Sequence, residues 1–212
     1  MKKKLYLAIG FIFAFMLWTI SVSFIDVQAI GPKGSNVGFA TINNFVHNAL
    51  GVNMSLYVIT DWLGLIPIGC MLAFAVLGII QWIKRKKLSQ VDYSLFVIGG
   101  FYIVVLLVYV LFEFVVINRR PVLIEGVLEA SYPSSTTVLV MCVMPTAIMQ
   151  LNSRIKNIKL KKSLTIVISA FIAFMVIGRL VSGVHWFSDI VGGLLISIGL
   201  VTLYDYFIKI KK

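Results

Sequence analysis

Long apolar stretches separated by short polar ones dominate the chain. Leu5 to Ile25, a run within Leu56 to Ile83, Tyr93 to Ile117 and Ile190 to Phe207 are each long enough to cross a bilayer as a helix, which takes about 20 apolar residues. Val138 to Leu151 is a further apolar run. Basic residues punctuate this pattern in four clusters: Lys2-Lys3-Lys4, then Lys84-Arg85-Lys86-Lys87, then Arg154 with Lys156, Lys159, Lys161 and Lys162, and finally Lys209, Lys211 and Lys212. Each interval between clusters holds two spans, so six helices bring all four clusters to one side. An odd number would strand a cluster. The positive-inside rule makes that side the cytoplasm, with both termini in it. The expected fold is therefore all-α: one polytopic bundle of six transmembrane helices, residues 1–212 forming a single domain.

Composition agrees. Hydrophobic residues make up 60% of the 212 residues and charged ones only 13%, with a mean hydropathy of +1.00. These values describe an integral membrane protein. A net charge of +11 raises nucleic acid as a partner, but confinement of the charge to clusters between apolar spans argues for membrane lipids instead. The lysine start and Val27-Gln28-Ala29 resemble a cleavable signal peptide. The first apolar run is long for a signal core, so a retained anchor is the preferred reading.

The remaining outer segments carry less information. Asp26 to Ser55 reads as a polar, glycine-bearing loop in which His47 packs at the surface. Asp61 reads as a charge in the first turn of the second span. Cys70 and Cys142 fall in apolar spans and match no disulfide or metal spacing, so they read as packing residues.

Chemistry concentrates in Gly178-Arg179-Leu180-Val181-Ser182-Gly183-Val184-His185-Trp186-Phe187-Ser188-Asp189. His185 and Asp189 are four residues apart at the mouth of the last span, a spacing that places both on one helical face. A carboxylate there can fix the imidazole tautomer and stabilise its cation, as a histidine nucleophile or base requires. Arg179 adds a fixed charge suited to phosphate. Only Lys33, Arg119, Arg120 and Arg179 are basic and outside, and the three arginines flank helix ends near His185. Snorkelling to headgroups explains each of them singly; their coincidence points to an anionic ligand. In Ser131-Tyr132-Pro133-Ser134-Ser135-Thr136-Thr137, proline and serines mark a helix start whose free N–H groups can cradle phosphate or simply be capped.

Three segments together resemble the type 2 phosphatidic acid phosphatase superfamily of membrane lipid phosphatases. Arg179, His185 and Asp189 match its third segment with Gly178 in place of a serine, Arg120-Pro121 matches the end of its first, and Pro133-Ser134 the start of its second. The resemblance implies that His185 attacks phosphorus to give a phosphohistidine, that Asp189 orients it, and that Arg120, Arg179, Ser134 and Ser135 hold the phosphoryl oxygens. It also implies a lipid phosphate or diphosphate substrate, a site on the extracytoplasmic side of the cell membrane, and no metal or other cofactor, since arginines and a helix end neutralise the phosphate. Two positions depart. Glu113 stands where the family has a lysine and reads as steering Arg120 from two turns away. Thr136 stands where the family has the general-acid histidine, and a hydroxyl cannot supply a proton near neutral pH. Losing a general acid costs about 10²- to 10⁴-fold in rate. The expected outcome is a weakened or inactive phosphatase that retains most activity on lipid diphosphates, whose leaving phosphate needs no proton. The alternative is a non-catalytic membrane protein that binds phosphorylated lipids in the same pocket. A small transporter fits less well, because neither a broken-helix pair nor repeated acids at mid-membrane are present.

Overall fold

A computed structural model describes residues 2–210, so Lys211 and Lys212 of the last basic cluster lie outside the described residues. Among the described residues, six helical segments are long and apolar enough to cross a membrane. They are α1 (Lys2–Phe24), the pair α3 (Met54–Leu63) and α4 (Leu65–Arg85), α5 (Tyr93–Phe114), α6 (Ser135–Arg154), α7 (Ile158–Val181) and α8 (Phe187–Ile210), with a short α2 (Ala40–Leu50) between the first two spans. The α3–α4 span bends where Gly64 takes its place between them, keeping helical dihedrals of φ −60° and ψ −18°.

The six spans fall where the apolar pattern put them, and α2 is the departure. A stretch carrying Asn43, Asn44 and Asn48 does not look helical by composition. Its one buried asparagine explains it: Asn43 Nδ2 donates to Gly38 O and Ser188 Oγ, and Asn43 Oδ1 accepts from the Ser188 N–H at 3.0 Å. A tertiary hydrogen-bond set thus overrides a weak local propensity.

Burial sorts the spans by role. Half or more of the α6 and α8 spans is buried, 50% and 56%, against 6–22% for the others, so α6 and α8 form the centre and the rest face lipid. Large apolar side chains such as Trp62, Ile83, Phe114 and Val167 point outward, as a lipid solvent permits. Close helix approach depends on small residues. A Cβ at Gly199 would lie 2.9 Å from Ile12 and one at Gly192 2.6 Å from the Tyr132 ring, so α8 lies tight against α1 and against the segment that precedes α6. The Tyr132 ring stacks on Phe15 and meets Phe112 edge-on, at centroid distances of 6.2 and 5.8 Å.

Polar contacts tie the basic helix ends into one rim. Lys4 and Lys209 pair with Asp205, Arg85 and Arg154 share Asp92 at 3.0 and 3.1 Å, and Gln150 donates to the Tyr204 hydroxyl. The arginines and histidine at the other ends of α5, α7 and α8 therefore share the opposite rim.

Candidate functional site

Helix α7 ends at Val181 and α8 begins at Phe187. Gly183, at φ +69°, turns the chain between them, so His185 precedes α8 instead of riding on it. The consequence departs from the expected helical pairing: His185 Nδ1 and Asp189 Oδ2 are 3.7 Å apart, too far for a hydrogen bond. Nδ1 instead lies 3.1 Å from the Ser131 carbonyl. Asp189 is fully buried and serves the turn, accepting from the Trp186 N–H at 2.9 Å and from Asn118 Nδ2 at 3.3 Å. The carboxylate holds the loop that carries His185, and the Ser131 carbonyl holds the ring.

The ring's other nitrogen faces Arg179, with Nη2 3.3 Å from Nε2. A carbonyl oxygen has no proton and a guanidinium no lone pair. The two partners therefore require Nδ1–H toward Ser131 and an unprotonated Nε2 that accepts from Arg179, the tautomer of a nucleophile. Burial, then the Arg120 and Arg179 charges, holds the imidazole well below its ordinary pKa, with the Ser131 carbonyl opposing. His185 is neutral at pH 7.

Arg179 is 1% exposed. Its Nη1 is shared between Thr60 Oγ1 at 3.4 Å and Asp61 Oδ1 at 3.5 Å, and its plane lies 5.0 Å from the Tyr57 ring centroid, with the Arg120 guanidinium 6.0 Å from the same ring. A tyrosine face offers two neighbouring guanidiniums the negative side of its quadrupole. Arg120 Nε lies 2.8 Å from Glu129 Oε2, while Arg120 Nη1 and Arg179 Nε are buried without a hydrogen-bond partner. Buried, unpaired donors of this kind are rare, and here two from different segments lie by the same Tyr57 ring.

Arg120 reaches the Tyr57 ring through a tight hairpin. Its N–H donates to Glu129 O, Ile124 pairs with Val127, and Glu125 and Gly126 both take positive φ at the tip, as a type I′ turn requires. The residue that steers Arg120 is therefore Glu129, across the hairpin. Glu113 is exposed and lines a small cavity of about 20 Å³ with Tyr109, Ser135 and His185. Arg119 turns away: its Nη1 donates to Leu128 O, and its own carbonyl accepts from Trp186 Nε1 at 2.7 Å.

Of the two serines expected to hold phosphate, Ser135 borders the His185 cavity and Ser134 does not. Ser134 is fully buried, donates its N–H to Asp189 O and accepts from Thr137 Oγ1 at 3.0 Å. It clamps the start of α6 to α8. Ser135 also borders, with Thr136, a larger apolar cleft of about 520 Å³, which runs between α4, α5 and α6 past Leu65, Met71 and Leu139. Asp61 borders the same cleft. It sits in the last turn of α3, not at the start of a span, because the 32-residue α3–α4 segment begins at Met54. Gly178 has a structural reason as well: a Cβ there would lie 2.8 Å from Thr60 Cγ2, so the missing side chain lets α3 lie against α7.

The pattern of residues gave no hint of Tyr57, Glu129, Ser131 or Asn118. Asn118 accepts from the Gly38 N–H and donates to Ser188 and Asp189, joining three outer segments beneath the site. Its place next to Arg119-Arg120 was the sole available signal.

Residues 113–211 match the model of the PAP2 superfamily. A transmembrane PAP2-type phosphatidylglycerolphosphate phosphatase from Bacillus subtilis is similar in fold over 97% of this chain and 97% of its own, with 21% identity and a TM-score of 0.58. No curated protein matches the chain. The matched stretch begins at Glu113 and carries Arg120, Arg179, His185 and Asp189.

Proposed function

We propose that this chain is a membrane lipid phosphatase that removes the terminal phosphate of a phospholipid or isoprenoid phosphate or diphosphate through a phosphohistidine at His185. One observation carries the reading: Nε2 of a neutral, buried histidine lies 3.3 Å from the Arg179 guanidinium, and Arg179 Nε and Arg120 Nη1, grouped about the same Tyr57 ring, are buried donors without a partner. Three phosphoryl oxygens need such donors, and a water-excluded site makes each of them count for more than it would in water.

The phosphoryl group settles among Arg120, Arg179 and the Ser135 end of α6, with Ser134 bracing that end from behind. His185 Nε2 attacks phosphorus in line, and the Ser131 carbonyl takes up the positive character that develops at Nδ1–H. Asp189 keeps the 182–186 turn in register. Water then hydrolyses the phosphohistidine. The acyl or prenyl tail lies in the cleft between α4, α5 and α6, which the substrate reaches sideways from the leaflet. Four basic clusters put the opposite rim in the cytoplasm, so the site faces the extracytoplasmic side.

Thr136 and Glu113 favour the second reading, a non-catalytic binder of phosphorylated lipids. Phosphate release in detergent from phosphatidic acid, phosphatidylglycerol phosphate and farnesyl diphosphate separates the two. A phosphatase releases phosphate that His185→Ala does not, whereas equal traces from both proteins establish the binder.

A further inference from the structure

Helix α3 brings three side chains to one guanidinium. Tyr57, Thr60 and Asp61 stand at i, i+3 and i+4, on one helical face, and all three meet Arg179. The Tyr57 ring centroid lies 5.0 Å from its Cζ, Thr60 Oγ1 accepts from Nη1 at 3.4 Å, and Asp61 Oδ1 pairs with the same nitrogen at 3.5 Å. Arg120 comes from the hairpin after α5, yet its Cζ lies 6.0 Å from the centroid of that same ring. One tyrosine face thus serves both cations.

Close backbone approach fixes where the ring stands. Asn53 caps α3 by accepting from the Leu56 N–H at 2.9 Å, and its own N–H donates to the Ser182 carbonyl at 3.0 Å. A Cβ at Gly183 would lie 2.1 Å from Gly51 O, and one at Gly178 would lie 2.8 Å from Thr60 Cγ2. The start and the last turn of α3 are therefore both held against the end of α7 and the turn that follows it, with Tyr57 between the two contacts.

Two guanidiniums that must meet one phosphate repel each other before it arrives. A carboxylate set between them would relieve the repulsion but would occupy the donors that the phosphate needs. An aromatic ring engages a guanidinium through its quadrupole and takes none of its N–H groups. The free donors fit this: Arg179 Nε and Arg120 Nη1 are buried without a hydrogen-bond partner, while Asp61 and Glu129 pair at other nitrogens, Arg179 Nη1 and Arg120 Nε.

We infer that Tyr57 is a positioning residue for phosphate binding: its ring offsets the repulsion between Arg120 and Arg179 and keeps them grouped with those two donors open. The inference rests on the reading above that both arginines hold the phosphoryl group. It gives α3, which lies outside the stretch 113–211, a part in the site.

Equilibrium binding of ³²P-labelled inorganic phosphate to the purified full-length protein in detergent tests the inference without turnover. Each cation–ring contact is worth about 2- to 30-fold, so Tyr57→Leu, which keeps an apolar side chain but no ring, should bind at least about fourfold more weakly than the parent. Tyr57→Phe keeps the ring and should stay within about threefold. Phenylalanine carrying one, two or three ring fluorines at position 57 keeps the shape while draining the negative face, and affinity should fall stepwise along that series. Parent-like affinity in Tyr57→Leu, or a loss in Tyr57→Phe equal to that in Tyr57→Leu, overturns the role. Affinity that does not change with fluorine number overturns it even where Tyr57→Leu fails to fold. A parent that binds no phosphate overturns the arginine pocket itself, whereas a parent that binds beside ring variants that match it removes only the part assigned to Tyr57.

Discussion

Arg179 touches both the nucleophile and its surroundings, so two substitutions there separate its charge from its geometry. Arg179→Gln removes the charge and the fork. Arg179→Lys keeps a charge but cannot span Nε2 of His185 and the Thr60–Asp61 pair at once, since an ammonium is a point donor. Each variant loses donors directed at the phosphoryl group, and one such donor is worth about 10²- to 10³-fold in kcat, or about 3 to 4 kcal/mol. The pH profile then divides them. Burial, Arg120 and Arg179 hold the free-site imidazole well below its ordinary value, so the acid limb of kcat/KM in the parent lies below pH 6.5, the ordinary imidazole value. Removing a cation that opposes protonation moves that limb to higher pH in Arg179→Gln, and the retained charge leaves it in place in Arg179→Lys. The assay is phosphate release from farnesyl diphosphate in detergent between pH 4 and 9, a substrate that keeps the proton demand of the leaving group out of the profile. A loss below tenfold in both variants, or an acid limb that stays put in Arg179→Gln, refutes the placement of Arg179 beside Nε2.

Other positions make separate demands. Gly183→Ala puts a Cβ 2.1 Å from the Gly51 carbonyl at a φ of +69°, and a melt in detergent should show a loss of at least about 2 kcal/mol together with loss of activity. Gly178→Ser restores the family residue yet meets Thr60 Cγ2 at about the 2.8 Å of the built Cβ; it should destabilise by about 1 to 3 kcal/mol, and Thr60→Ala in the same chain should recover most of that. Thr136→His restores the residue whose loss costs about 10²- to 10⁴-fold and should raise phosphate release from phosphatidic acid by a comparable factor. Orientation is tested by an impermeant maleimide on intact cells in a Cys70→Ala, Cys142→Ala background: Glu125→Cys should label, and Lys86→Cys should label only after permeabilisation.

The spans and the third motif were legible because each rests on local information. Twenty apolar residues make a membrane helix wherever they stand, and Arg179, His185 and Asp189 lie within one short stretch. The ring's actual partner was not legible, since Ser131 is 54 positions away and offers a backbone carbonyl that any residue would provide. Helical spacing pointed to Asp189, which stands 3.7 Å from Nδ1 because the turn at Gly183 lifts His185 off the helix. Glu113 was assigned a steering role on helical periodicity, but the hairpin after α5 hands that role to Glu129. Asp61 looked like a charge at the start of a helix because nothing in the chain marks α3 as crossing beside α7. The pointer was Gly178, whose meaning is spatial: it is the contact point of two helices.

The central claim is a covalent bond between phosphorus and His185, and trapping it is the most direct test. Rapid acid-free quenching of the purified protein during turnover of ³²P-labelled farnesyl diphosphate should leave label that is stable to base, lost in mild acid and located on the peptide containing His185, and it should be absent from His185→Gln. Continued turnover with no protein-bound label, or label that persists in His185→Gln, contradicts the account.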